Sequence, residues 1–251
     1  MAIEGTLGGG SIQSKIVVWS TAPEASATLP WEPIIVAPLL VLWLYLPGYL
    51  SNTTAMLGGK WIPDRTGITV YPIDGGKIHS DGNRLLGDGK TWNGLLGGCI
   101  GGGLICMLTH ALAAGNGMYN SGPFLDPLGA YTSSSEDIQN SWFWIGGEWG
   151  ASFIMGFILG LGCMIGDSVG SFFKRRRGLK REGEVSSKAP LLDTLPFAIF
   201  TFIFGLLFLS PAIAGDTVLV KGMLILLVMT PIIHRSFNVM GYKLGLKSVP
   251  Y

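Results

Sequence analysis

Acidic and basic side chains alternate among glycines in one stretch of this chain, and that mixture can do chemistry. Residues 72–94 read PIDGGKIHSDGNRLLGDGKTWNG, with Asp74, Asp81 and Asp88 interleaved with Lys77, Arg84 and Lys90. Backbone N–H groups in Gly-rich turns can wrap phosphate oxygens, and Lys or Arg can neutralise them. Carboxylates do not bind phosphate themselves. Beside cations they point to a divalent metal that bridges acid and phosphate. A second cluster, GDSVGSFFKRRRG over 166–178, places Asp167, Ser171 and Lys174 at i, i+4 and i+7, which is one face if the segment is helical. Ionisable residues at membrane depth are costly and usually functional, so Asp167 is expected to be a metal ligand. Asp193 opens a later apolar stretch just after Pro190. It either complements the positive end of a helix or acts as a second ligand beside Asp167. Asn52 is one more polar intruder in an apolar stretch.

Other signals carry less. The GDGKT run at 87–91 imitates a phosphate-binding P-loop, but Arg84 stands where the first Gly is needed, and an apolar stretch follows. Arg177, Lys180 and Arg181 read as an ordinary basic helix end. The scattered His79, His110 and His234 read as structural or incidental. Cys99, Cys106 and Cys163 lie in apolar stretches, fit no zinc spacing, and are expected to be packing residues.

The elements that must position these groups are membrane helices. Of the 251 residues 48% are hydrophobic and 13% are charged, against about 25% charged in an average soluble domain. The net charge of +1 argues against a nucleic-acid partner. A bilayer core needs about 20 apolar residues per helix. Stretches near 32–56, 92–114, 147–172, 191–214 and 218–239 qualify, with a kink expected at Pro47-Gly48 and a kink or early end at Pro231. The expected class is therefore an all-α integral membrane protein with five transmembrane helices.

Lys and Arg set the orientation, because cytoplasmic loops carry them in excess. Residues 58–91 and 173–190 are rich in both, whereas 115–146 contain neither. The N-terminus is thus expected outside and the C-terminus in the cytoplasm. A polar outer segment, 1–31, precedes a single membrane catalytic domain, 32–251. The first thirty residues lack a basic start followed by an apolar core, so no cleavable signal peptide is expected. Trp31, Trp92, Trp142, Trp144 and Trp149 fall near helix ends, as an interfacial aromatic belt would. Gly94, Gly98 and Gly102 form one row of small residues, and Gly162, Gly166 and Gly170 another. Such rows let helices pack closely or leave room for a nucleotide or lipid head.

The run LPGYLSNTT, the block PIDGGK…DGNRLLGDGKTWNGLLGG and the later GDSVGSFFKRRRG…LLDTLPF together resemble the archaeal CDP-archaeol synthases. These are membrane cytidylyltransferases related to bacterial CDP-diacylglycerol synthases. The resemblance implies that CTP and an isoprenoid ether-lipid phosphate, 2,3-bis-O-geranylgeranylglyceryl phosphate, give the CDP-lipid and pyrophosphate with Mg²⁺. By motif, Asp167, Ser171, Lys174 and Arg175 match the shared GD…S…KR signature, and Asp193 matches the first acid of the downstream one. Asp74, Lys77, Asp81, Arg84, Asp88, Lys90 and Thr91 fall in the block that looks particular to the archaeal branch. One departure stands out: the downstream signature commonly has a second acid where this chain has Pro196.

These residues carry an expected division of labour. Asp167 and Asp193 hold Mg²⁺. Lys174, Arg175, Lys90 and Arg84 neutralise phosphates. Asp74, Asp81 and Asp88 orient those bases or bind a second metal. Isoprenoid chains enter from the bilayer between the Gly-faced helices. The rivals are another phospholipid-pathway enzyme, such as an acyl-phosphate acyltransferase, and a small transporter or scaffold. The first has no need of several metal-binding Asp residues. The second predicts ionisable residues along a mid-helix pathway. The sequence leaves the oligomeric state open.

Overall fold

The computed structural model describes residues 32–114, 124–130, 138–179, 189–209 and 217–243. The N-terminal segment 1–31, Lys180, Arg181 and half of the segment 115–146 lie outside these ranges. The described residues fold as helices α1 (Glu32–Leu44), α2 (Leu46–Met56), α3 (Ile62–Thr66), α4 (Trp92–Ala113), the short α5 (Pro127–Ala130), α6 (Gly147–Arg176), α7 (Pro190–Phe204) and α8 (Thr217–Lys243). A π-helical turn, Leu57–Trp61, joins α2 to α3, and a second, Gly205–Leu209, extends α7.

Four segments are long and apolar enough to cross a membrane: Trp92–Ala113, Gly147–Arg176, Leu191–Leu209 and Leu219–Ser236. The pair α1 and α2–α3, bent by 50° at its break, makes a fifth if it counts as one span. The chain is thus a helical, multi-pass membrane protein, with four or five candidate spans among the described residues.

The helix ends follow from local chemistry, and some differ from expectation. The first span breaks at Tyr45, ahead of Pro47, because proline suits the first turn of a new helix rather than the middle of an old one. Helical structure then continues past Met56 to Thr66, so Lys60 and Arg65 lie on helix, not in a loop. Gly67 stops it in the left-handed conformation, φ 72°, donating to the Pro63 carbonyl. Pro231 neither ends nor shortens the last helix, which runs through it to Lys243. Just before it, the buried Thr230 hydroxyl contacts the Tyr49 hydroxyl at 2.8 Å and so ties α8 to α2.

α6 runs one turn further than expected, to Arg176. Gly178, φ 67°, gives it a Schellman end: the Leu179 N–H donates to the Lys174 carbonyl and the Gly178 N–H to the Arg175 carbonyl. That end keeps Lys174, Arg175 and Arg176 helical, so their directions are fixed.

The glycine rows are filled by neighbouring helices. A Cβ on Gly102 would sit 2.6 Å from the Gly156 carbonyl oxygen, and one on Gly98 2.6 Å from the Met164 sulfur, so α4 and α6 touch nearly backbone to backbone. Ser51 of α2, fully buried, fills the same crossing. The second row faces α7: a Cβ on Gly166 would lie 2.3 Å from the Pro196 carbonyl oxygen, and one on Gly170 2.5 Å from that of Leu192. Neither row leaves room for a nucleotide or a lipid chain. All three cysteines are buried free thiols that pack in these contacts, as expected.

Replacing Gly166 with Val should push α7 off α6 and lower stability by at least about 1–3 kcal/mol, the usual cost of overpacking. Thermal unfolding of the detergent-solubilised chain reads this out. Leu108→Ala, at an outward-facing position on α4, should leave the midpoint nearly unchanged.

Candidate functional site

The 72–91 segment is folded, not a loose loop. The Ile73 N–H donates to the Lys90 carbonyl (2.8 Å) and the Trp92 N–H to that of Tyr71 (3.0 Å), which closes the base. Higher up, the Leu85 N–H reaches Lys77 and the His79 N–H reaches Asn83. Asp74 sits at the centre with a fully buried side chain. Its carboxylate accepts from the N–H groups of Gly76, Leu86 and Gly87 and from the Arg84 guanidinium. Burial alone would raise its pKa. The Arg84 guanidinium and the three N–H groups outweigh burial and hold the carboxyl well below the usual carboxylate range. Arg84 also pairs with the exposed Asp88 at 2.6 Å.

Asp74 therefore holds the loop together, and it is already saturated with donors. Thr91 is likewise occupied: its hydroxyl caps α4 by accepting the Gly94 N–H at 3.0 Å. That cap sends α4 off directly after Lys90, so the Lys90 side chain turns across to α6.

On α6 the helical face expected for Asp167, Ser171 and Lys174 exists. Lys90 donates to the Asp167 carboxylate, and Lys174 donates to the carboxylate of Asp193 in the first turn of α7. Lys174 and Ser171 are buried, whereas the two carboxylates and Lys90 are 21–28% exposed. Leu192 meets Gly170, three residues after Asp167 on α6, so α7 brings Asp193 to the same end of α6 as Asp167. The result is two lysine–aspartate pairs at one end of the bundle.

The remaining cations differ in their partners. The Arg175 guanidinium lies where a Cβ on Gly87 would fall, 2.9 Å away, and gives one N–H to the Leu179 carbonyl. Gly87 adopts φ 94°, which favours glycine on its own account, and a side chain there would also displace Arg175. Lys77 is exposed. Asp81 accepts from Arg176 at 2.7 Å, an arginine that the sequence presents only as part of a basic run. Asn52 is half-buried on α2, and its neighbour Ser51 is the polar residue that packs the crossing.

One of the histidines makes a buried pairing that the sequence does not reveal. At the opposite end of α4, buried His110 meets buried Asp126 at 2.9 Å, with Trp149 edge-on to the ring. This pair fastens α5 to the bundle far from the lysine–aspartate pairs.

The donor set suits a magnesium ion carried by phosphates. Mg²⁺ prefers hard oxygens and is commonly bound by one or two carboxylates plus substrate phosphates. Asp167 and Asp193 are such carboxylates. Among the described residues no group of three or more His, Cys, Asp or Glu side chains gathers into an all-protein cage.

Comparison with known proteins finds relatives over most of the chain. The family model described as CarS-like, CDP-archaeol synthase, matches residues 34–131 and 136–251. A CDP-archaeol synthase of Methanospirillum hungatei is 35% identical over 82% of this chain and 99% of its own length. One of Thermococcus gammatolerans is 35% identical over 84% of this chain and 94% of its own, and one of Archaeoglobus fulgidus is 33% identical over 85% and 97%. A solved structure described as an intramembrane enzyme for archaeal membrane lipid biosynthesis superposes with a TM-score of 0.51. It is 26% identical and covers 79% of this chain and 92% of its own.

Asp74→Asn should loosen the loop, because Arg84 and three N–H groups lose a charged acceptor. The expected cost is about 2–3 kcal/mol of local stability, read as faster hydrogen exchange at Gly76, Leu86 and Gly87. The wild-type carboxyl titrates lower in the folded loop than in the unfolded chain. Its contribution is therefore complete above about pH 4 and lost only at more acidic pH. After correction for intrinsic exchange, wild-type loop protection should be flat between about pH 5 and 8.

Proposed function

The chain belongs to the CDP-archaeol synthase family, and we propose that its two lysine–aspartate pairs are the resting form of the site that moves a cytidylyl group from CTP to a lipid phosphate. The observation that carries this is the pairing itself. Lys90 and Lys174 each rest on a carboxylate at one end of an apolar bundle. A triphosphate brings anionic oxygens that attract the lysines and can coordinate, through a metal, to the carboxylates.

The nucleophile is the phosphate monoester of 2,3-bis-O-geranylgeranylglyceryl phosphate. With a second pKa of about 6 it is largely dianionic near neutral pH, so no strong general base is required. One of its oxygens attacks the α-phosphorus of CTP and forms the new P–O–P link of the CDP-lipid. The bond from the α-phosphorus to the β-phosphate oxygen breaks, and pyrophosphate leaves. The obstacle is repulsion between two anions, which preorganised cations oppose. Lys90, Lys174 and Arg175 lie against the phosphates, and Arg84 reinforces them from behind while it holds Asp74. Asp167 and Asp193, released from their lysines, would hold Mg²⁺ on the nucleotide. A bound Mg²⁺ would neutralise triphosphate charge and polarise the phosphorus centre. Asp81 and Asp88 act through the arginines they pair with.

The lysine-rich end faces the cytoplasm, which places the N-terminus outside and the C-terminus inside. The excess of Lys and Arg in 58–91 and 173–190 supports this orientation, as does the supply of CTP on that side. The comparisons do not favour an acyltransferase, a transporter or a scaffold.

The test uses purified protein with each nucleoside triphosphate in turn, the ether-lipid phosphate and Mg²⁺, with CDP-lipid and pyrophosphate measured together. CTP alone should support both products. Asp167→Asn and Asp193→Asn should each lower turnover by about 100-fold or more, the scale seen when a transition-state charge partner is removed. Near-normal CDP-lipid output from Asp167→Asn would remove that residue from the mechanism.

A further inference from the structure

We infer that Arg176 is a positioning residue: it clamps the 72–91 loop onto α6 and so sets Lys90 against Asp167. This inference rests on the cytidylyl-transfer site proposed above, but its structural half can be read without any substrate.

Hydrophobic packing alone does not hold the loop in place. Between the loop and α6 lies an apolar cleft of about 500 Å³, lined by Ile73, Leu85 and Leu86 from the loop side and by Val169, Phe172 and Phe173 from α6. The cleft is open to the surface, so the facing side chains do not pack against one another over their whole apolar area. Polar contacts at the edges therefore fix the distance between loop and helix. Lys90–Asp167 is one of them, but that pair must open if Lys90 is to meet a phosphate. Something else has to keep the loop in register when it does.

Arg176 is placed to do so. One terminal nitrogen donates to the Asp81 carboxylate at 2.7 Å and the other to the Arg84 carbonyl at 2.7 Å. Its guanidinium carbon sits 5.2 Å from the centre of the Phe172 ring, and the side chain is 17% exposed. The planar fork matters because the two acceptors belong to different residues, and a lysine ammonium cannot reproduce the geometry. The Arg84 carbonyl is also the informative contact. The Arg84 side chain binds Asp74, Asp74 binds the Leu86 and Gly87 N–H groups, and Lys90 follows three residues on. Holding Arg84 by its backbone thus holds the whole knot. With both terminal nitrogens committed to the loop, Arg176 differs from Arg175, whose Nη1 donates to the Leu179 carbonyl of its own helix end.

The experiment compares full-length wild type, Arg176→Lys, Arg176→Gln, Asp81→Asn and the Arg176→Gln/Asp81→Asn double variant, all in nanodiscs. Hydrogen exchange of the 77–87 amides without nucleotide reads loop docking. Steady-state kinetics with CTP reads catalysis. Arg176→Lys should speed loop exchange by about tenfold while leaving exchange in α4 and α6 unchanged. Its kcat should fall by about 10- to 100-fold, the cost of a misplaced catalytic group, with a smaller change in KM for CTP. Asp81→Asn should be milder, since the carbonyl contact remains, and the double variant should be no worse than Arg176→Gln alone. Unchanged loop exchange in Arg176→Lys would overturn the clamp, and so would a raised KM for CTP with kcat intact, which would make Arg176 a nucleotide ligand instead. Should Arg176→Gln fail to fold, Arg176→Lys and Asp81→Asn still decide between these outcomes. Loosened loop exchange in a chain that does not use CTP would sink the proposed reaction and leave the clamp standing.

Discussion

Everything at the candidate site depends on how closely α7 can approach α6. Gly166 and Gly170 present no side chain, so the backbone carbonyls of Pro196 and Leu192 lie where Cβ atoms would otherwise be. That approach delivers Asp193 to Lys174. Apolar surface gives little drive for helix association within a bilayer, so packing of this kind has to come from shape and close contact. The glycines let the bundle bring a carboxylate and an ammonium together at its edge.

On this frame the charges are stored in pairs. A lone lysine or aspartate at the boundary of an apolar bundle is costly, because low-dielectric surroundings disfavour an uncompensated charge. Pairing Lys90 with Asp167 and Lys174 with Asp193 removes that cost in the absence of substrate. Lys90 and both carboxylates remain partly exposed while Lys174 is buried, which in the proposed reaction would let the carboxylates turn to a metal without first being dug out of the core. Asp74 behaves in the opposite way. Its buried carboxylate is satisfied by loop donors alone, which suits a structural role and leaves it little capacity for a metal.

The two ends of the bundle use similar chemistry for different purposes. At one end His110 and Asp126 are both buried and fasten α5, with no free face for a ligand. At the other, Lys90, Asp167 and Asp193 stay partly exposed, and an apolar cleft separates the loop from α6. Acid–base pairing alone therefore does not mark a site. Partial exposure, several cations and a supporting loop together do.

Much was legible in the sequence because it rests on local rules. Apolar length gave the spans, the i, i+4, i+7 spacing gave the shared face of Asp167, Ser171 and Lys174, and the motifs gave the family. What stayed hidden depended on contacts between residues far apart in the chain. Asp74 and Asp88 look alike in sequence, yet one is buried under four donors and the other points to solvent. Arg176 looked like any member of a basic run until the Schellman turn at Gly178 fixed the helix end and aimed its fork at the loop. Thr91 and Asn52 stand out in sequence only as polar residues beside apolar stretches, whereas the fold shows the Thr91 hydroxyl capping α4 and Ser51, not Asn52, filling the helix crossing. Composition and periodicity fix which face of a helix is apolar and where it stops. Only the tertiary structure decides which partner each charge meets, because that is set by the close packing of helices separated by loops of many residues.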